Sequence, residues 1–202
     1  MSRNLFFNQK ISFSENNLES IIKACLERNQ NAQSLLYKQF FGYSKSVCLR
    51  YSSNQEEAKE ILNEGFLKVF NNLDKYLPEL SFKAWLRTIM VNTAISFYRK
   101  NQKFQQEIGY DDYNDPSYND EILENIAADD ILRHVQELKP IYRTVFTMYA
   151  VDGYSHREIS EHLSINEVTI RSYYSRAKAK LQEILANNYP ELIVKNSSSS
   201  KI

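Results

Sequence analysis

Glycine and proline are scarce in this sequence, with 4 of each among 202 residues. A chain with so few turn-forming residues has little material for a β architecture built on tight turns, which favours helices. Cysteine is scarce as well: Cys25 and Cys48 lie in helical patterns, without the CxxC or histidine spacing of a zinc site. We therefore expect two buried free thiols rather than a disulfide or a zinc site.

Long apolar runs are also missing from the sequence. No stretch reaches the ~18 apolar residues that a membrane span needs. The N-terminus, MSRNLFFNQKISFSENN, has no long apolar run and no small-residue cleavage site. The sequence thus predicts a cytoplasmic protein with no membrane insertion.

The residue patterns of an enzyme active site are absent too. The sequence has no paired nucleophile and base, no glycine-rich phosphate loop and no cluster of metal-ligating residues. The three histidines, His134, His156 and His162, are scattered and are interpreted as surface or packing residues. We expect neither an enzyme nor a bound metal or cofactor.

Charge is balanced overall, with 25 basic and 25 acidic residues, but it is unevenly distributed. Residues 80–106 contain five basic side chains and no acidic one, whereas residues 107–130 contain nine acidic side chains and no lysine or arginine. Basic residues again outnumber acidic ones, eight to five, between 133 and 181. Two basic blocks around an acidic stretch indicate two modules that face a polyanion, although an ordinary solvated surface gives the same pattern.

The segment GYDDYNDPSYND, at 109–120, is polar and acidic and contains an Asp-Pro pair, which makes it the best linker candidate. Helical periodicity is dense before and after it. We therefore predict an all-α protein of two small helical domains joined by a flexible acidic linker. The predicted segments are an N-terminal extension (1–17), a four-helix domain (18–104), the acidic linker (105–121), a second helical domain (122–186) and a disordered tail (187–202).

The segment YSHREISEHLSINEVTIRSYYSRAKAKL, at 154–181, predicts two helices around a tight joint. Ser155 and Glu158 have the spacing of a capping box, and Asn166 is a suitable N-cap for the second helix. One face of that helix is apolar and is expected to be buried; it carries Ile170, Tyr174, Ala177 and Leu181. The opposite face presents Val168, Arg171, Ser172, Ser175, Arg176 and Ala179.

Small side chains on that outer face allow close approach to a partner, and arginine supplies forked donors for guanine edges or phosphates. A helix–turn–helix inserts its second helix into the DNA major groove in this way. The alternative is a helical hairpin that only packs against the rest of the chain.

The fourth predicted helix begins near Ser81 and carries one broad apolar stripe. Trp85 and Phe97 lie within that stripe, so they are expected in the core rather than on a stacking surface. Tyr76, in the loop before the helix, is the better candidate for contact with a base.

The same helix is basic. Lys83 and Arg87 are neighbours at i, i+4, and the end of the helix adds Tyr98, Arg99, Lys100 and Lys103. Aromatic rings beside cations suit single-stranded nucleic acid, because stacking and phosphate neutralisation both find partners.

The third predicted helix opens with capping-box spacing at Asn54 and Glu57. If its apolar residues face the core, its outer side carries Glu60, Asn63, Glu64 and Leu67. An exposed leucine among acidic and amide groups is typical of a protein-docking site, although single exposed leucines are also normal on any surface.

Three segments together resemble the extracytoplasmic-function sigma factors, a minimal group within the sigma-70 family of bacterial RNA polymerase subunits. EEAKEILNEGFLKVF, at 56–70, resembles the core-binding helix of that family. SFKAWLRTIMVNTAISFYRK, at 81–100, resembles its promoter-melting helix, and the segment 154–181 resembles its C-terminal helix–turn–helix. The resemblance covers about residues 18–184, and the order and spacing of the three motifs make it specific.

The resemblance implies a protein that binds core RNA polymerase and directs promoter-specific initiation, without being an enzyme itself. The outer face of the third helix would bind the β′ coiled coil through Glu60, Asn63, Glu64 and Leu67. The loop 74–80 and the fourth helix would open the minus-ten element through Tyr76, Lys83, Arg87, Asn92, Tyr98, Arg99 and Lys100. The last helix would read the minus-thirty-five element through Val168, Arg171, Ser172, Ser175 and Arg176.

Further partners implied by the resemblance are the β subunit of polymerase, promoter DNA and an anti-sigma factor. The acidic linker would run through polymerase channels that otherwise take RNA. The sequence departs from the family pattern at four places: Ser164 and Gly65 stand where glycine and threonine are common, Ser96 replaces an acid, and Glu167 with Val168 replaces a smaller pair.

Two other functions stay open on the sequence alone. One is a dimeric helix–turn–helix regulator that binds duplex DNA without polymerase, and the other is a protein interaction module whose basic patches meet acidic partners. The first domain distinguishes a regulator from a sigma factor, because a regulator has no use for a core-binding helix followed by a melting helix, whereas a sigma factor needs both.

Overall fold

The computed structural model describes residues 13–105 and 128–190 of the chain. Throughout these residues the regular structure is helical, in agreement with the all-α prediction. Most of the predicted N-terminal extension, all of the predicted linker after Gln105 and most of the predicted tail lie outside the described residues. Within the described part, no helix combines the length and apolar character needed to cross a bilayer.

Four α-helices lie within residues 13–105. They are α1 (Leu18–Leu26), α2 (Gln30–Leu49), α3 (Gln55–Asn71) and α4 (Phe82–Gln105), with a 3-10 turn at Leu73–Lys75. The first three begin after an asparagine whose side-chain oxygen accepts a backbone N–H of the first turn, namely Asn17, Asn29 and Asn54. The predicted cap of α3 is therefore present, and Glu57 completes it by accepting from the N–H of Ser53 at 2.7 Å.

Four more α-helices lie within residues 128–190. They are α5 (Ala128–Glu137), α6 (Pro140–Phe146), α7 (His156–Leu163) and α8 (Glu167–Asn188), with a π-helical turn at Thr147–Val151 after α6. Pro140 lies in the first turn of α6, where its missing N–H costs nothing. The predicted capping box of Ser155 and Glu158 opens α7, and the side chain of Asn166 caps α8.

Gly65 lets α3 and α4 approach each other closely. A Cβ atom at this position would lie 2.4 Å from Sδ of Met90, which is fully buried in α4. The glycine that departs from the family pattern therefore has a packing reason in this chain.

The main hydrophobic core is shared by both parts of the chain. Buried residues of α3 and α4, such as Ile61 and Leu86, belong to the same packed cluster as Met148, Ile159 and Ile170 from the second part. A smaller cluster lies between α5, α6 and α8 and contains Val135, Leu138, Phe146, Ala177, Leu181 and Leu185. The two predicted domains thus pack against each other.

The C-terminal end of α2 is capped by side chains from the second part of the chain. A helix leaves its last carbonyl groups without intrahelical partners, and these groups need donors when they are buried. Here the donor and acceptor pairs are Gln136 Nε2 with the Leu49 carbonyl, Thr147 Oγ1 with the Arg50 carbonyl and Arg143 Nε with the Tyr51 carbonyl, at 3.0, 3.0 and 3.1 Å. Three consecutive carbonyls at and just past the end of α2 are therefore satisfied from α5, α6 and the π-turn.

Candidate nucleic-acid and docking surfaces

The helix–turn–helix forms as the sequence predicts. Ser164 ends α7 in the left-handed conformation, with φ of 56°, and turns the chain sharply toward α8. Asn166 Oδ1 then accepts the N–H of Val168 at 2.8 Å, which satisfies one of the free donors at the start of α8. Ile170, Ala177 and Leu181 are fully buried and Tyr174 is half-buried, so the predicted inner face of α8 is confirmed.

The outer face of α8 begins with Val168, whose side chain is 74% exposed. Arg171 is also exposed, and its guanidinium donates to Glu167 Oε1 from Nη2 at 2.6 Å and from Nε at 3.2 Å. This hydrogen bond holds the pKa of Glu167 below its usual range. Glu167 thereby holds the guanidinium of Arg171 at the outer face. A base edge or a phosphate could replace Glu167 as the acceptor of these hydrogen bonds.

The other predicted residues of this face, Ser172, Ser175 and Arg176, are half-buried. Ser172 and Ser175 have short side chains, so neither extends far from the backbone of α8. Close approach of the helix to a groove is therefore sterically open on the side that carries Val168 and Arg171.

A cluster of aromatic rings packs between the π-helical turn, α7 and α8. The rings of Tyr149 and His156 stack with centroids 4.3 Å apart, and Tyr149 lies 4.5 Å from Tyr174 of α8. Burial and the nearby Arg171 lower the pKa of His156, so the neutral ring is favoured in this stack. The interpretation of this histidine as a packing residue agrees with its position.

The loop between the 3-10 turn and α4 is closed by Tyr76. Its hydroxyl donates to the carbonyl of Leu80 at 2.7 Å, and its ring meets Phe82 edge-on at 5.2 Å and Trp85 at 5.5 Å. Leu77 is 52% exposed and Leu80 is 55% exposed. The sequence analysis named Tyr76 in this loop and not the two leucines, which stand directly before Pro78 and two residues after it.

The residues of α4 that were predicted to contact nucleic acid fall into two groups. Asn92, Arg99 and Lys100 are exposed, and Lys83 is exposed with its Nζ 4.4 Å above the centroid of the Tyr43 ring. Asn92 and Arg99 are seven positions apart, which places them on one helix face. These four predicted residues lie where a nucleic acid could reach them.

Arg87 and Tyr98 of α4 contact or face the second part of the chain. Arg87 Nη2 forms an ion pair with Asp152 Oδ1 at 2.6 Å, and this contact is the main cause that raises its pKa. Tyr98 is only 9% exposed and lines a small cavity together with Pro140 and Arg143 of α6. Both were predicted to contact the minus-ten element, and in this arrangement neither is fully open to a ligand.

The outer face of α3 has the predicted orientation. Ala58, Ile61, Leu62, Phe66 and Val69 are buried. Glu60, Asn63, Glu64 and Leu67 are exposed, and Leu67 exposes 64% of its surface. Glu64 also pairs with Lys68 at 2.7 Å. An apolar side chain thus projects from an otherwise polar helix face.

Comparison with known protein families assigns both parts of the chain. Residues 36–104 match the family described as sigma-70 region 2, and residues 128–181 match sigma-70 region 4. Together the two matches cover more than half of the 202 residues.

Characterised proteins similar to this chain include two sigma factors. The ECF RNA polymerase sigma factor SigE of Mycolicibacterium smegmatis is 28% identical over 150 residues, which are 72% of this chain and 58% of SigE. The RNA polymerase sigma factor YlaC of Bacillus subtilis is 23% identical over 163 residues, which are 77% of this chain and 93% of YlaC. This chain therefore spans less than two thirds of SigE and nearly all of YlaC.

Among solved structures, the sigma factor RpoE in complex with the anti-sigma factor NepR from Bartonella quintana aligns over 75% of this chain and 95% of the solved chain, at 21% identity and a TM-score of 0.45. The family assignment itself rests on the two matched regions and on their order, region 2 before region 4. On that evidence this chain belongs to the sigma-70 family, as an RNA polymerase sigma factor of the extracytoplasmic-function group.

Proposed function

We propose that three surfaces of this sigma factor divide its work at a promoter. The outer face of α3 docks on core RNA polymerase, the loop 74–80 with α4 opens the minus-ten element, and α8 reads the minus-thirty-five element. The observation that carries this proposal is that one chain contains both sigma-70 regions and also exposes Leu67 among acidic and amide groups.

Docking on polymerase is assigned to Glu60, Asn63, Glu64 and Leu67. An exposed leucine surrounded by polar groups has the composition of an interface centre with its rim. The acidic side chains favour a partner surface that is basic. The β′ coiled coil, and the β subunit for the second domain, are the polymerase sites that the family resemblance implies.

Opening of the minus-ten element is assigned to Tyr76, Lys83, Arg87, Asn92, Tyr98, Arg99 and Lys100. Lysine and arginine on α4 neutralise phosphates of an unpaired strand, and the aromatic ring of Tyr76 offers a face for a flipped base. The exposed Leu77 and Leu80 extend this surface, because apolar side chains can insert between unstacked bases. In this proposal the sigma factor favours the opened DNA only by binding it, and the polymerase catalyses RNA synthesis.

Reading of the minus-thirty-five element is assigned to Val168, Arg171, Ser172, Ser175 and Arg176. The exposed start of α8 is the part that enters the major groove in a helix–turn–helix. A guanidinium released from Glu167 can donate two parallel hydrogen bonds to one guanine. Apolar contact from Val168 suits a thymine methyl group.

The remaining partners follow from the family. We place the protein in the cytoplasm, where bacterial polymerase transcribes, and assign it an anti-sigma factor that controls its access to polymerase. The acidic linker, which lies outside the described residues, is assigned to a polymerase channel that otherwise takes RNA. A dimeric regulator would leave the exposed face of α3 without a role.

Association with purified core RNA polymerase, followed by run-off transcription from a library of genomic promoters, tests this proposal. We expect the protein to co-purify with core polymerase and to give promoter-selective transcripts. Failure to associate, together with binding to free duplex DNA in the absence of polymerase, would favour the dimeric regulator instead.

A further inference from the structure

The turn that carries Leu77 and Leu80 is closed by two hydrogen bonds. The N–H of Leu80 donates to the carbonyl of Leu77 at 2.9 Å, which closes a four-residue turn with Pro78 at its second position. The hydroxyl of Tyr76 donates to the carbonyl of Leu80 at 2.7 Å. Leu80 is therefore held through both of its backbone polar groups.

Tyr76 is itself anchored to the folded domain. Its ring meets Phe82 edge-on at 5.2 Å and lies 5.5 Å from Trp85. Phe82 is buried, and its ring lies 4.8 Å from that of Phe40 in α2. Edge-on and tilted ring contacts of this kind are favourable arrangements. The hydroxyl of Tyr76 therefore links the far end of the turn to a fixed part of the domain.

Burial of side chains does little to hold this turn. Leu77 and Leu80 are each more than half exposed, and Pro78 and Glu79 are exposed as well. The backbone groups of an exposed turn can bond to water instead of to each other, so the conformation of the turn depends on the bonds that it makes. The hydroxyl of Tyr76 thus controls how firmly the two leucines are held.

The two leucines place apolar side chains at both ends of the turn. An apolar side chain can insert beside an unstacked base, and it contacts the C5 methyl group of thymine favourably. It offers no acceptor to the exocyclic amino group of cytosine or adenine. The carbonyls of Leu77 and Leu80 each already accept a hydrogen bond. This chemistry favours thymine among the four bases.

We propose that Leu77 and Leu80 select a thymine on an unpaired strand of the minus-ten element, and that Tyr76 is the positioning residue that fixes them through its hydroxyl. This inference rests on the proposed function, because it assigns the loop 74–80 to the opened strand. The hydroxyl acts apart from the ring face that Tyr76 offers to a base. A turn fixed in advance cannot adapt to another base, so the difference in affinity between thymine and the other bases is larger.

Three variants separate the contributions of the hydroxyl, the ring and the leucine. Tyr76→Phe keeps the ring and removes the hydroxyl that binds Leu80. Tyr76→Leu removes the ring as well. Leu80→Ala removes the apolar side chain and keeps the carbonyl that accepts the bond. Tyr142→Phe is the matched control, because it removes a tyrosine hydroxyl from α6, where the ring lies 5.7 Å from that of Tyr173.

The first measurement is made on the free full-length protein. A glutamate-specific protease cleaves after Glu79, inside the turn, and the rate of cleavage follows the population of locally opened chains. We expect Tyr76→Phe to be cleaved there ~3–10-fold faster than the wild type, because one hydrogen bond is lost. Tyr142→Phe should be cleaved at the wild-type rate, and both variants should keep the helical circular dichroism of the wild type.

The second measurement uses core polymerase and a promoter found in the run-off screen. Each thymine of the minus-ten element is replaced in turn by deoxyuridine, which lacks only the methyl group. At one of these positions the wild type and Tyr142→Phe should need a ~3–5-fold higher sigma concentration for half-maximal transcription, because one methyl contact is lost. Tyr76→Phe should show a smaller change at that position, and Leu80→Ala none.

Several results would overturn the inference. Cleavage of Tyr76→Phe at the wild-type rate would show that the hydroxyl does not hold the turn. Insensitivity of the wild type to deoxyuridine at every position, or selection of promoters without a thymine in this element, would exclude reading by the leucines. Full sensitivity in Tyr76→Phe and its loss in Tyr76→Leu would assign the effect to the ring.

Two further outcomes separate this inference from other causes. If Tyr76→Phe lowers transcription equally on the thymine and deoxyuridine templates while keeping the wild-type ratio, its role is structural and the positioning role is refuted. If the wild type does not associate with polymerase, the proposed function fails and base selection fails with it. The cleavage rates then still show whether the hydroxyl closes the turn.

Discussion

Ser164 shows how much a single residue contributes to the geometry of the helix–turn–helix. It stands at the sharp joint between α7 and α8 with φ of 56°, a conformation that glycine adopts without strain and that serine does not. The backbone cost is accepted at the joint that sets the direction of α8.

Replacement of this serine should therefore stabilise the protein. We expect Ser164→Gly to raise the free energy of unfolding by ~0.5–1 kcal/mol, because relief of the left-handed strain exceeds the added freedom of the unfolded chain. Ser160→Gly, within α7, is the control and should lower it by a similar ~0.5–1 kcal/mol. Urea unfolding measures both, and a decrease for Ser164→Gly would contradict the strain argument.

The two cysteines give a prediction for pH. Both are free and buried, as the sequence predicts, and burial raises the pKa of Cys25 to about 11 and that of Cys48 to about 12. In the unfolded chain these thiols ionise near ~8.5, so above that pH the folded state binds more protons than the unfolded state. Stability from this source is complete below pH ~8.5 and is lost as the pH rises from there toward 11.

The test compares slopes rather than absolute stabilities. Between pH 8 and 9.5, the free energy of unfolding of the wild type should fall more steeply than that of Cys48→Ala, whatever the cost of the substitution itself. Equal slopes in urea titrations at these pH values would show that the Cys48 thiol does not contribute.

Single residues also mark the limit of what the sequence predicts. Helical periodicity correctly placed Leu67 outside and Ile170 inside, because each position depends on the face of one helix. The partners of Arg87 could not be predicted in this way, because Asp152 is 65 positions away and belongs to another domain. Arg143 and Asp152 were missed for the same reason, since neither stands in a recognisable motif.

At the scale of elements, α3 combines two faces with different tasks. Its inner face packs so closely on α4 that a Cβ at Gly65 would require the buried side chain of Met90 to shift. Its outer face is free to dock. Helical periodicity in the sequence predicts which residues lie on each face of α3. The reason for a glycine at position 65 is visible only in the structure, because it depends on how close α3 and α4 lie.

The outer face of α3 can be tested alone. We expect Leu67→Asp to weaken binding to core polymerase at least ~10-fold, because the apolar centre of an interface contributes most of its energy. Leu26→Asp is the control, since Leu26 is 49% exposed and lies on α1 rather than on α3. Co-purification with core enzyme measures the effect, and retention of binding by a folded Leu67→Asp protein would contradict the assignment.

The outer face of α8 allows a second test at this scale. Arg171→Ala and Arg176→Ala should each reduce discrimination between a matched and an altered minus-thirty-five element by ~1–3 kcal/mol, through loss of forked contacts to bases. Arg157→Ala removes an exposed arginine of α7 that pairs with Glu161, and it should leave the ratio unchanged. Equal transcription ratios for the wild type and the double variant would refute base reading by these arginines.

At the scale of the whole molecule, the main finding is that two domains share one core. The sequence predicts the two helical domains and the acidic stretch between them, because composition and periodicity change along the chain. Their contact was not predictable, because residues such as Met148 and Ile159 read as ordinary core positions of the second domain. Only the three-dimensional structure places them beside α3 and α4.

A shared core predicts cooperative unfolding. Trp85 is the single tryptophan of the chain and reports on the first domain, whereas circular dichroism reports on all helices. We expect the two signals to follow the same urea curve with one midpoint. A tryptophan transition at a different urea concentration would mean that the domains unfold independently.

The caps on α2 also affect the order of events during synthesis. Tyr51 leaves the ribosome long before Arg143, which follows it by 92 positions. At a translation rate of about 5–20 residues per second, this separation corresponds to roughly 5–20 s. During that interval the nascent first domain must fold with the end of its second helix in water, and the chain completes that helix only when its own DNA-reading half arrives.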